Sequence, residues 1–503
     1  MAFSWSAEQE AIINTPPHLK VAFVIAYAGC GKTTVLQELT RRWPQKRFLY
    51  LAFNKSIVKE ARKKFSKTNT TIITTHSLAY QAIGFHYKEK LIFDFTESLI
   101  MDLAKAFLGG TVHNEVAFMF CRATIKTINA YLIGSSQEIN GECIPDDMLL
   151  TLDRFDWIEK VLDFSTLIWN IMCDPSDPRV GMTHDGYMKL YIMTEPVLNY
   201  DYILVDEFQD TTPAVLSMII RQNANIVAVG DPHQSIYTFR GAVNGFDLIE
   251  ADVTHYLTTS WRFGKNVAHA ANKVLAEKKM NIPLLKGNGS DEIISEKSIE
   301  IGHKPFMMLS RSTTGIFMYL MKLYTDEKAA PFDIHFVGGA DSYSFQKMIC
   351  ATHLYNQKQK KIRTEEFKNF KTWGEYKNAG IALNDKTMIA MTKMVENLNK
   401  MIPRMCMTFK EMDTNVNDAD ILISSCHKAK GLESDIVLVN NDFSIEGRYD
   451  PQDAEIMGEQ VAKDKLKEST TDEINLSYVA VTRAKESLAF TSGSFGDYFK
   501  NVS

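Results

Sequence analysis

Short apolar runs recur along the chain, and apolar residues return at helical spacing between them. The runs have the length and composition of buried β-strands. They read VAFVI (21–25), RFLYLAF (47–53), YILVDE (202–207), NIVAVGD (225–231), PFMMLS (305–310), IHFVGG (334–339), ILISS (421–425), DIVLVN (435–440) and SLAFTS (487–492). Strands that alternate with helices form parallel sheets with helices on both faces. The pattern therefore predicts an α/β fold.

The predicted strands form two groups, one ending near residue 250 and one beginning near residue 300. Each group is interrupted by one stretch that has no strand pattern and is predicted to be mainly helical. We therefore expect two α/β lobes, each interrupted by one insertion. The predicted boundaries are 1–84 with 196–255 for the first lobe, 85–195 for the first insertion, 256–345 with 416–503 for the second lobe, and 346–415 for the short second insertion.

Composition limits the classes of protein to which the chain can belong. The chain has 503 residues, 45% apolar and 23% charged, with a net charge of −5, as in an ordinary globular protein of several domains. A polyanion would therefore have to be bound by a local groove, not by net attraction. The seven cysteines form no CxxC pair, which predicts reduced thiols inside a cell (cytoplasmic in a prokaryote or virus, nuclear in a eukaryote) and disfavours zinc. No run of 18 apolar residues and no signal-peptide pattern occurs, so no membrane partner is expected.

The segment AYAGCGKTT (26–34) follows the first apolar run directly. Its glycines let the backbone turn with no Cβ between the N–H groups and an anion. Lys32 can reach the β- and γ-phosphates of a nucleotide, and the Thr33 hydroxyl can ligate Mg²⁺. The helical pattern that follows directs the positive end of a helix dipole at the phosphates. Strand, glycine loop, GKT and helix predict a nucleoside triphosphate site, although Ala26 replaces the usual first glycine.

Two further strands end in candidate chemistry. In YILVDEFQD (202–210), Asp206 can hold Mg²⁺ through its water shell, and Glu207 can orient and deprotonate an attacking water. The alternative is that these acids only cap a strand. In VAVGDPHQSIYTFRGA (227–242), Gln234 can sense a γ-phosphate, and the aromatic and basic residues after it have the types that bind bases and phosphates. An aromatic loop can also be core packing.

The order of these motifs carries a resemblance. Gln9, AGCGKTT, VDEFQD, GDPHQSIYTFRGA, LTTSWRFG, SSCHKAKGLESDIVLV and LSYVAVTRAKESL follow one another across both predicted lobes. Together they resemble the UvrD-like group (sub-family A) of superfamily one DNA helicases, and THDGYMKL (183–190) resembles the helicase part of F-box DNA helicases. Because Gln9 lies close to residue 1, no F-box is expected before it and no ubiquitin-ligase role is implied. The resemblance implies two RecA-like, parallel-sheet lobes of P-loop NTPase type.

The resemblance also assigns nucleotide-binding roles. Gln9 would contact the adenine edge, and Trp261 would stack on the adenine unless it is a buried core residue. Glu433 would bind the ribose, with the Gly431 amide near the γ-phosphate. The phosphate loop would contribute Ala28, Gly29, Cys30, Gly31, Lys32, Thr33 and Thr34.

Two arginines of the second lobe are implied to act in catalysis. Arg262 and Arg483 would reach the γ-phosphate as arginine fingers supplied by the same chain, and would neutralise charge in the transition state. Without the motif positions, either residue would be taken for a solvated surface arginine.

The implied DNA-binding residues line a single-strand channel in the family. Aromatic side chains there would stack on bases without reading their sequence. The implied residues are Phe53, Asn54, Thr75, His76, Tyr237, Phe239, Arg240, Arg311 and His427. The family often has Trp at the position of Phe239, and each residue could also serve only in packing.

The second insertion has one unusual segment, NQKQKKIRTEEFKNFKTWGEYKN (356–378), in which aromatic residues three apart alternate with lysines. A basic helix with aromatics could contact duplex DNA or regulate the enzyme. The favoured interpretation is that the aromatics form a small core and the lysines a solvated face.

Taken together, the motifs predict a monomeric, ATP- and Mg²⁺-dependent DNA helicase or translocase. It would act on single-stranded DNA and on tailed or forked duplex DNA, and it would move 3′ to 5′ along the bound strand. Replication or recombination proteins are the expected protein partners. Three alternatives stay open: an ATP-driven remodeller that strips proteins from DNA, an RNA helicase, and a switch that binds ATP without turnover. The last two are disfavoured by the DNA-type motifs and by the intact Glu207, Arg262 and Arg483.

Overall fold

A computed structural model describes residues 4–16, 18–52, 54–93, 95–238, 241–326, 332–447 and 459–500. Its strands are β1 Val21–Ala26, β2 Phe48–Ala52, β3 Thr70–Thr74, β4 Tyr202–Val205, β5 Asn225–Gly230, β6 Val253–Leu257, β7 Thr259–Gly264, β8 Lys286–Gly289, β9 Glu292–Ser295, β10 Phe306–Ser310, β11 Ile334–Phe336, β12 Ile421–Ser425, β13 Ser434–Val439 and β14 Ala484–Phe490.

Helices surround these strands and fill both insertions. The α-helices are α1 Ala7–Ile13, α2 Lys32–Arg42, α3 Lys55–Lys64, α4 Thr75–Ala82, α5 Glu97–Phe107, α6 Asn114–Ile133, α7 Asp146–Arg154, α8 Ile158–Cys173, α9 His184–Met193, α10 Pro213–Ile220, α11 Lys265–Ala276, α12 Thr313–Thr325, α13 Phe345–Tyr355, α14 Glu365–Lys368, α15 Trp373–Ala382, α16 Lys386–Leu398, α17 Met401–Glu411, α18 Cys426–Ala429, α19 Glu459–Val481 and α20 Ser494–Tyr498. Short 3₁₀ turns include Gly84–Lys90, Phe208–Asp210, Pro232–Gln234 and Gln359–Lys361.

The first lobe is built on a six-stranded sheet with the order β3-β2-β4-β5-β1-β6. All of its pairings are parallel. Parallel strands place their carboxyl ends at one edge, where open α/β sheets bind ligands. The phosphate loop after β1, the acids after β4 and the polar loop after β5 therefore meet at that edge.

The second lobe has a parallel sheet of the same size, with the order β11-β12-β10-β13-β14-β9. The two sheets with flanking helices confirm the predicted α/β class with two RecA-like lobes. The predicted runs all form strands. Among the strands that the apolar pattern missed, β3, β6 and β9 each lie at a sheet edge. β6 alternates in exposure along its length, and β3 (TTIIT) and β9 (EIIS) are short and carry polar residues, so none of the three has a continuous apolar run.

The two helical insertions pack on each other. Phe118 of α6 and Phe370 are both buried, with ring centroids 5.0 Å apart. Arg122 Nη2 lies 2.8 Å from Asp385 Oδ2, and Arg122 Nη1 lies 3.2 Å from Glu97 Oε1. One continuous apolar core runs through both insertions and the adjoining faces of the two sheets.

Residues 356–378 do not form one continuous helix. The segment contains the turn Gln359–Lys361 and the separate helices α14 and α15. Phe367, Phe370 and Tyr376 are at most 1% exposed, whereas the lysines of the segment are exposed. The favoured interpretation, an aromatic core under a solvated basic face, is confirmed.

One helix among the described residues, α6, is long and apolar enough to cross a membrane by length and composition alone. However, 67% of its most apolar 18-residue window is buried inside the protein. The same burial is expected of the central helix of an insertion core.

Candidate active site

The phosphate loop joins β1 to α2 with the backbone shape that its glycines predict. Gly29 and Gly31 have φ angles of +74° and +82°, in the left-handed region that favours glycine. A Cβ on Gly29 would lie 2.6 Å from Ser260 Oγ and 2.7 Å from Arg262 Cβ. The Trp261 N–H donates to the Gly29 carbonyl oxygen over 3.0 Å. Glycine is therefore required where the loop touches β7.

Lys32 begins α2, and its side chain reaches the acidic end of β4. Lys32 Nζ lies 2.9 Å from Glu207 Oε1, with 18% of each side chain exposed. Burial lowers the pKa of Lys32, but the charges of Glu207 and Asp206 outweigh burial and raise this pKa above its ordinary value. Burial raises the pKa of Glu207, but Lys32 and Lys430 reverse that effect and bring it to about 2. Lys32 and Glu207 are therefore both charged at neutral pH.

Asp206 is the neighbouring acid and has a different environment. The Tyr50 hydroxyl donates to Asp206 Oδ2 over 2.5 Å. Burial, followed by the charge of Glu207, raises the pKa of Asp206, so a nearby cation would stabilise its charged form. A carboxylate and a hydroxyl are hard oxygen donors of the kind that Mg²⁺ prefers. These residue types fit Mg²⁺, while the assignment of Asp206 and Thr33 as its protein ligands stays a prediction.

Glu207 is held in an unusual backbone conformation. Its φ of 52° lies in the left-handed region, which is uncommon for a non-glycine residue and costs backbone energy. Gln209 Nε2 donates to Glu207 Oε2 over 2.5 Å, and Gln209 Oε1 accepts the Asp231 N–H over 3.0 Å. Because Gln209 is fully buried, it fixes one carboxylate oxygen of Glu207 while Lys32 binds the other.

Gln234 and Arg483 meet across the cleft between the lobes. Gln234 Nε2 donates to Asp231 Oδ2 over 2.7 Å, and Arg483 Nη2 donates to Gln234 Oε1 over 3.3 Å. Arg483 is 1% exposed, and among the described residues it forms no ion pair with a carboxylate. Burial, with the nearby Arg262 charge, lowers the pKa of Arg483 to about 10. Within the described part of the chain, the charged guanidinium thus lies buried beside the predicted γ-phosphate sensor with no carboxylate at ion-pair distance.

Arg262 and Glu433 form a second contact near the phosphate loop. Arg262 Nε lies 2.8 Å from Glu433 Oε2, and Arg262 Nη1 donates to the Thr482 carbonyl oxygen over 3.0 Å. Gly431 has a φ of +84°, which turns the chain just before Glu433.

Trp261 is 60% exposed, so the alternative that it is a buried core residue is wrong. Its ring is free to stack on a ligand.

The remaining predicted nucleotide residues surround the phosphate loop. Gln9 is 6% exposed, shares a capping box with Ser6, and its Nε2 lies 3.9 Å from the position of a Cβ on Gly31. The Ala28 N–H donates to the Tyr478 hydroxyl over 3.3 Å, and Cys30 is buried. Thr34 follows Thr33 in the first turn of α2. The structure thus places Gln9 over the loop, while its adenine contact stays a prediction.

Sequence reasoning missed several residues of the cleft. The Tyr478 hydroxyl of α19 donates to Asp231 Oδ2 over 3.0 Å, and so links the second lobe to the carboxyl end of β5. Lys430 forms a buried ion pair with Asp210 and donates to the Gln234 carbonyl oxygen over 2.5 Å. The position of Asp231 after a strand was a usable signal. No sequence signal pairs Tyr478 or Lys430 with residues more than 190 positions away.

The predicted DNA residues of the first lobe lie beside the catalytic acids. Asn54 caps α3 by accepting the Ile57 N–H over 2.9 Å. Thr75 begins α4, and His76 Nε2 lies 2.9 Å from Asp185 Oδ1. A cavity of about 100 Å³ is lined by Thr75, His76, Asp206 and Glu207, among others. Thr75 and His76, two of the predicted DNA contacts, therefore border the same cavity as Glu207, the predicted general base.

The other predicted DNA residues are placed less uniformly. The Tyr237 hydroxyl donates to the His427 carbonyl oxygen over 3.1 Å. Arg311 binds the buried Glu473 with both Nε and Nη2, so much of its hydrogen-bonding capacity is used within the second lobe. Phe53, Phe239 and Arg240 lie outside the described residues. The DNA and nucleotide roles of individual residues stay predictions.

Comparison with known proteins agrees with this arrangement. Residues 5–251 match the family model of the UvrD/REP helicase N-terminal domain, and residues 292–494 match that of the UvrD-like helicase C-terminal domain. F-box DNA helicase 1 of Gallus gallus is 30% identical over 508 residues, which cover 96% of this chain and 48% of that protein. F-box DNA helicase protein 1 of Schizosaccharomyces pombe is 28% identical, with coverage of 96% and 57%. A probable DNA helicase of Mycoplasma pneumoniae is 25% identical, with coverage of 98% and 84%.

The two parallel sheets and the phosphate loop after β1 define a two-lobed fold of P-loop NTPase type. The chain is a member of the UvrD-like helicase family, because the two family models together match most of its length. It spans about half the length of the two F-box relatives that it matches.

Proposed function

We propose that this protein is an ATP-driven motor that moves 3′ to 5′ along single-stranded DNA and separates duplex DNA. The observation that supports the proposal most is the contact of Arg483 with Gln234. It joins the two lobes beside the phosphate loop, and the guanidinium forms no ion pair with a described carboxylate. A triphosphate in the cleft would give Arg483 that anion, and would so favour the closed arrangement of the lobes.

The chemistry proposed for the site is hydrolysis of the β–γ phosphoanhydride. Glu207 accepts a proton from water as the water oxygen bonds to the γ-phosphorus, and the bond to the bridging oxygen breaks to leave ADP and phosphate. Lys32 and Arg483 neutralise the charge that develops on the phosphate oxygens. Mg²⁺, held by Asp206 and Thr33, would supply further charge neutralisation. Loss of the γ-phosphate then removes the anion that Arg483 and Arg262 bind.

The proposed partners are single-stranded DNA and tailed or forked duplexes, bound by a monomer. Thr75 and His76 border the same cavity as Glu207. This arrangement supports a route by which bound DNA alters the position of Glu207, the proposed general base. Replication or recombination proteins are proposed as further partners from the family resemblance alone.

The direction of movement is tested with matched duplexes that carry a 3′ or a 5′ single-stranded tail. We expect unwinding of the 3′-tailed duplex only, with ATPase stimulated by both tails, because stimulation needs only single-stranded DNA. Unwinding from the 5′ tail would contradict the proposed polarity. Displacement of a protein block without strand separation would favour the remodeller. Greater stimulation by single-stranded RNA than by DNA would favour the RNA helicase.

Glu207→Gln separates nucleotide binding from turnover. The amide keeps the shape, and its single oxygen can accept from either Lys32 or Gln209 but not from both as the carboxylate does. It cannot take a proton from water. We expect ATP binding to persist and the DNA-stimulated ATPase rate to fall by about 10²–10⁴. Glu468→Gln, an exposed substitution of the same type on α19, is the control. Near-normal turnover by Glu207→Gln would assign the base to another group.

A further inference from the structure

Helix α3 concentrates positive charge in a chain that is acidic as a whole. The chain has a net charge of −5, yet α3 (KSIVKEARKK) carries five basic residues and one glutamate. The glutamate, Glu60, pairs with Lys64, on a different face from Lys55, Lys59 and Arg62. Those three residues recur at the i, i+4, i+7 spacing of one helix face. A local basic face of this kind binds polyanions even when the net charge is negative.

This basic face borders a cavity between α3, the end of β3 and the start of α4. The cavity has a volume of about 440 Å³ and is lined by Lys55, Val58, Lys59, Arg62, Ile73, Thr74 and Ser77. None of these residues is acidic. The first turn of α4 points its backbone N–H groups toward its own N-terminus, which adds the positive end of a helix dipole.

The polar groups around the cavity are arranged to donate. The hydroxyls of Thr74 and Ser77 share a hydrogen bond of 2.7 Å at the start of α4, so one of the two hydroxyl protons remains to donate to a ligand. Arg62 Nη2 donates to the Ile72 carbonyl oxygen over 3.1 Å, which anchors the guanidinium at the cavity and leaves its other N–H groups available. Among the described residues, Lys55 and Lys59 form no ion pair with a carboxylate. Two lysines and an anchored arginine, with one hydroxyl proton beside them, match a phosphodiester backbone.

The cavity is continuous with the predicted DNA residues of the first lobe. Asn54 caps α3 and Thr75 begins α4, so each directly adjoins a residue of the cavity wall. From Lys55 to Arg62 the helix rises about 10 Å, which is long enough for more than one consecutive phosphate of a single strand.

We propose that Lys59 and Arg62, with Lys55, form a second phosphate-binding site that holds the backbone of the bound single strand beyond the motif residues Asn54, Thr75 and His76. The site rests on the proposed function, because it extends the path of the same DNA strand. It binds phosphate groups and does not read bases.

The test is equilibrium binding of a fluorescent single-stranded DNA, without nucleotide, over a range of salt concentrations. In K59Q/R62Q the slope of log K against log[salt] should become shallower by about 1.4, since each single-strand phosphate contact contributes about 0.7. At 0.1 M salt this change corresponds to binding that is about 25-fold weaker. The matched control is K63Q/K64Q, which removes the same charge from exposed positions of α3 outside the cavity wall.

The control should keep the wild-type slope and bind within about threefold of the wild type, because only long-range attraction is lost. Thermal unfolding of both variants checks that the fold is kept. Equal slopes for K59Q/R62Q and the control would overturn the proposed site while leaving the proposed function intact. If K59Q/R62Q bound single-stranded DNA as tightly as the wild type but bound a blunt duplex more weakly, the proposed site would also be overturned, in favour of a contact with duplex DNA. A wild type that binds no single-stranded DNA would instead contradict the proposed function itself.

Discussion

Replacement of Lys32 by alanine is expected to abolish ATP hydrolysis and DNA unwinding. Lys32 supplies the positive charge that faces the β- and γ-phosphates, and it also binds Glu207 Oε1 at 2.9 Å. Alanine removes both the charge and the group that keeps the pKa of Glu207 low. Steady-state ATPase with saturating single-stranded DNA measures the loss. Undiminished hydrolysis would place the active site elsewhere in the molecule.

The ion pair makes a second variant necessary. Removing one partner of a buried pair leaves the other charge unpaired, which costs about 3–5 kcal/mol when both groups are fully buried. Here the cost should be smaller, because 18% of each side chain is exposed. The double variant Lys32→Ala/Glu207→Gln removes both charges and should unfold at a higher temperature than Lys32→Ala alone. It should be equally inactive, which separates lost chemistry from lost stability.

Replacement of Arg483 is expected to have an effect of similar size from the opposite lobe. Loss of an arginine finger lowers the rate by about 10³ or more, and we expect Arg483→Ala to reduce DNA-stimulated ATPase by that amount. ATP affinity should change much less, since the predicted contacts of Gln9 and Trp261 remain. Single-turnover hydrolysis, measured alongside nucleotide binding, distinguishes the two quantities.

Because Arg483 is buried, its variants need controls for packing. Arg483→Lys keeps a positive charge but loses the planar fork that donates to Gln234 and to the carbonyl oxygens of Val479 and Leu432. We expect it to remain slow. Arg404→Ala, at an exposed position of α17, should retain wild-type turnover. If Arg483→Ala lost only the stimulation by DNA and kept its basal rate, Arg483 would serve in coupling and not in the chemistry.

The sequence predicted the parts of the site that follow buried strands. The phosphate loop, Asp206 and Gln234 each come after an apolar run, and parallel pairing alone brings such positions to one edge. The structure adds contacts that no local pattern encodes, such as Tyr478 with Asp231 and Lys430 with Asp210. These pairs depend on how two separately formed lobes dock. A one-dimensional pattern of apolar residues contains no information about that docking.

The same limit explains the errors in secondary structure. The strands β3, β6 and β9 lie at sheet edges, where one side of the strand is free of neighbours and polar residues are tolerated. The spacing of the aromatics in residues 356–378 predicted a small core but did not predict which elements form it. In the structure, separate short helices direct Phe367 and Tyr376 to the same small core, with ring centroids 4.9 Å apart.

The packing of the two insertions has a consequence for how this protein can be altered. Phe118 of the first insertion packs against Phe370 of the second, and Arg122 forms an ion pair with Asp385 across the same boundary between the insertions. Each insertion has buried aromatics of its own, such as Phe120 with Phe164 in the first and Phe367 with Tyr376 in the second, but the two interiors join at this boundary. Excising residues 346–415 would expose the partner face of α6 to water, and grafting either insertion alone into a related enzyme would leave an apolar face uncovered. We therefore expect a chimaera to keep its stability only when the two segments are exchanged together.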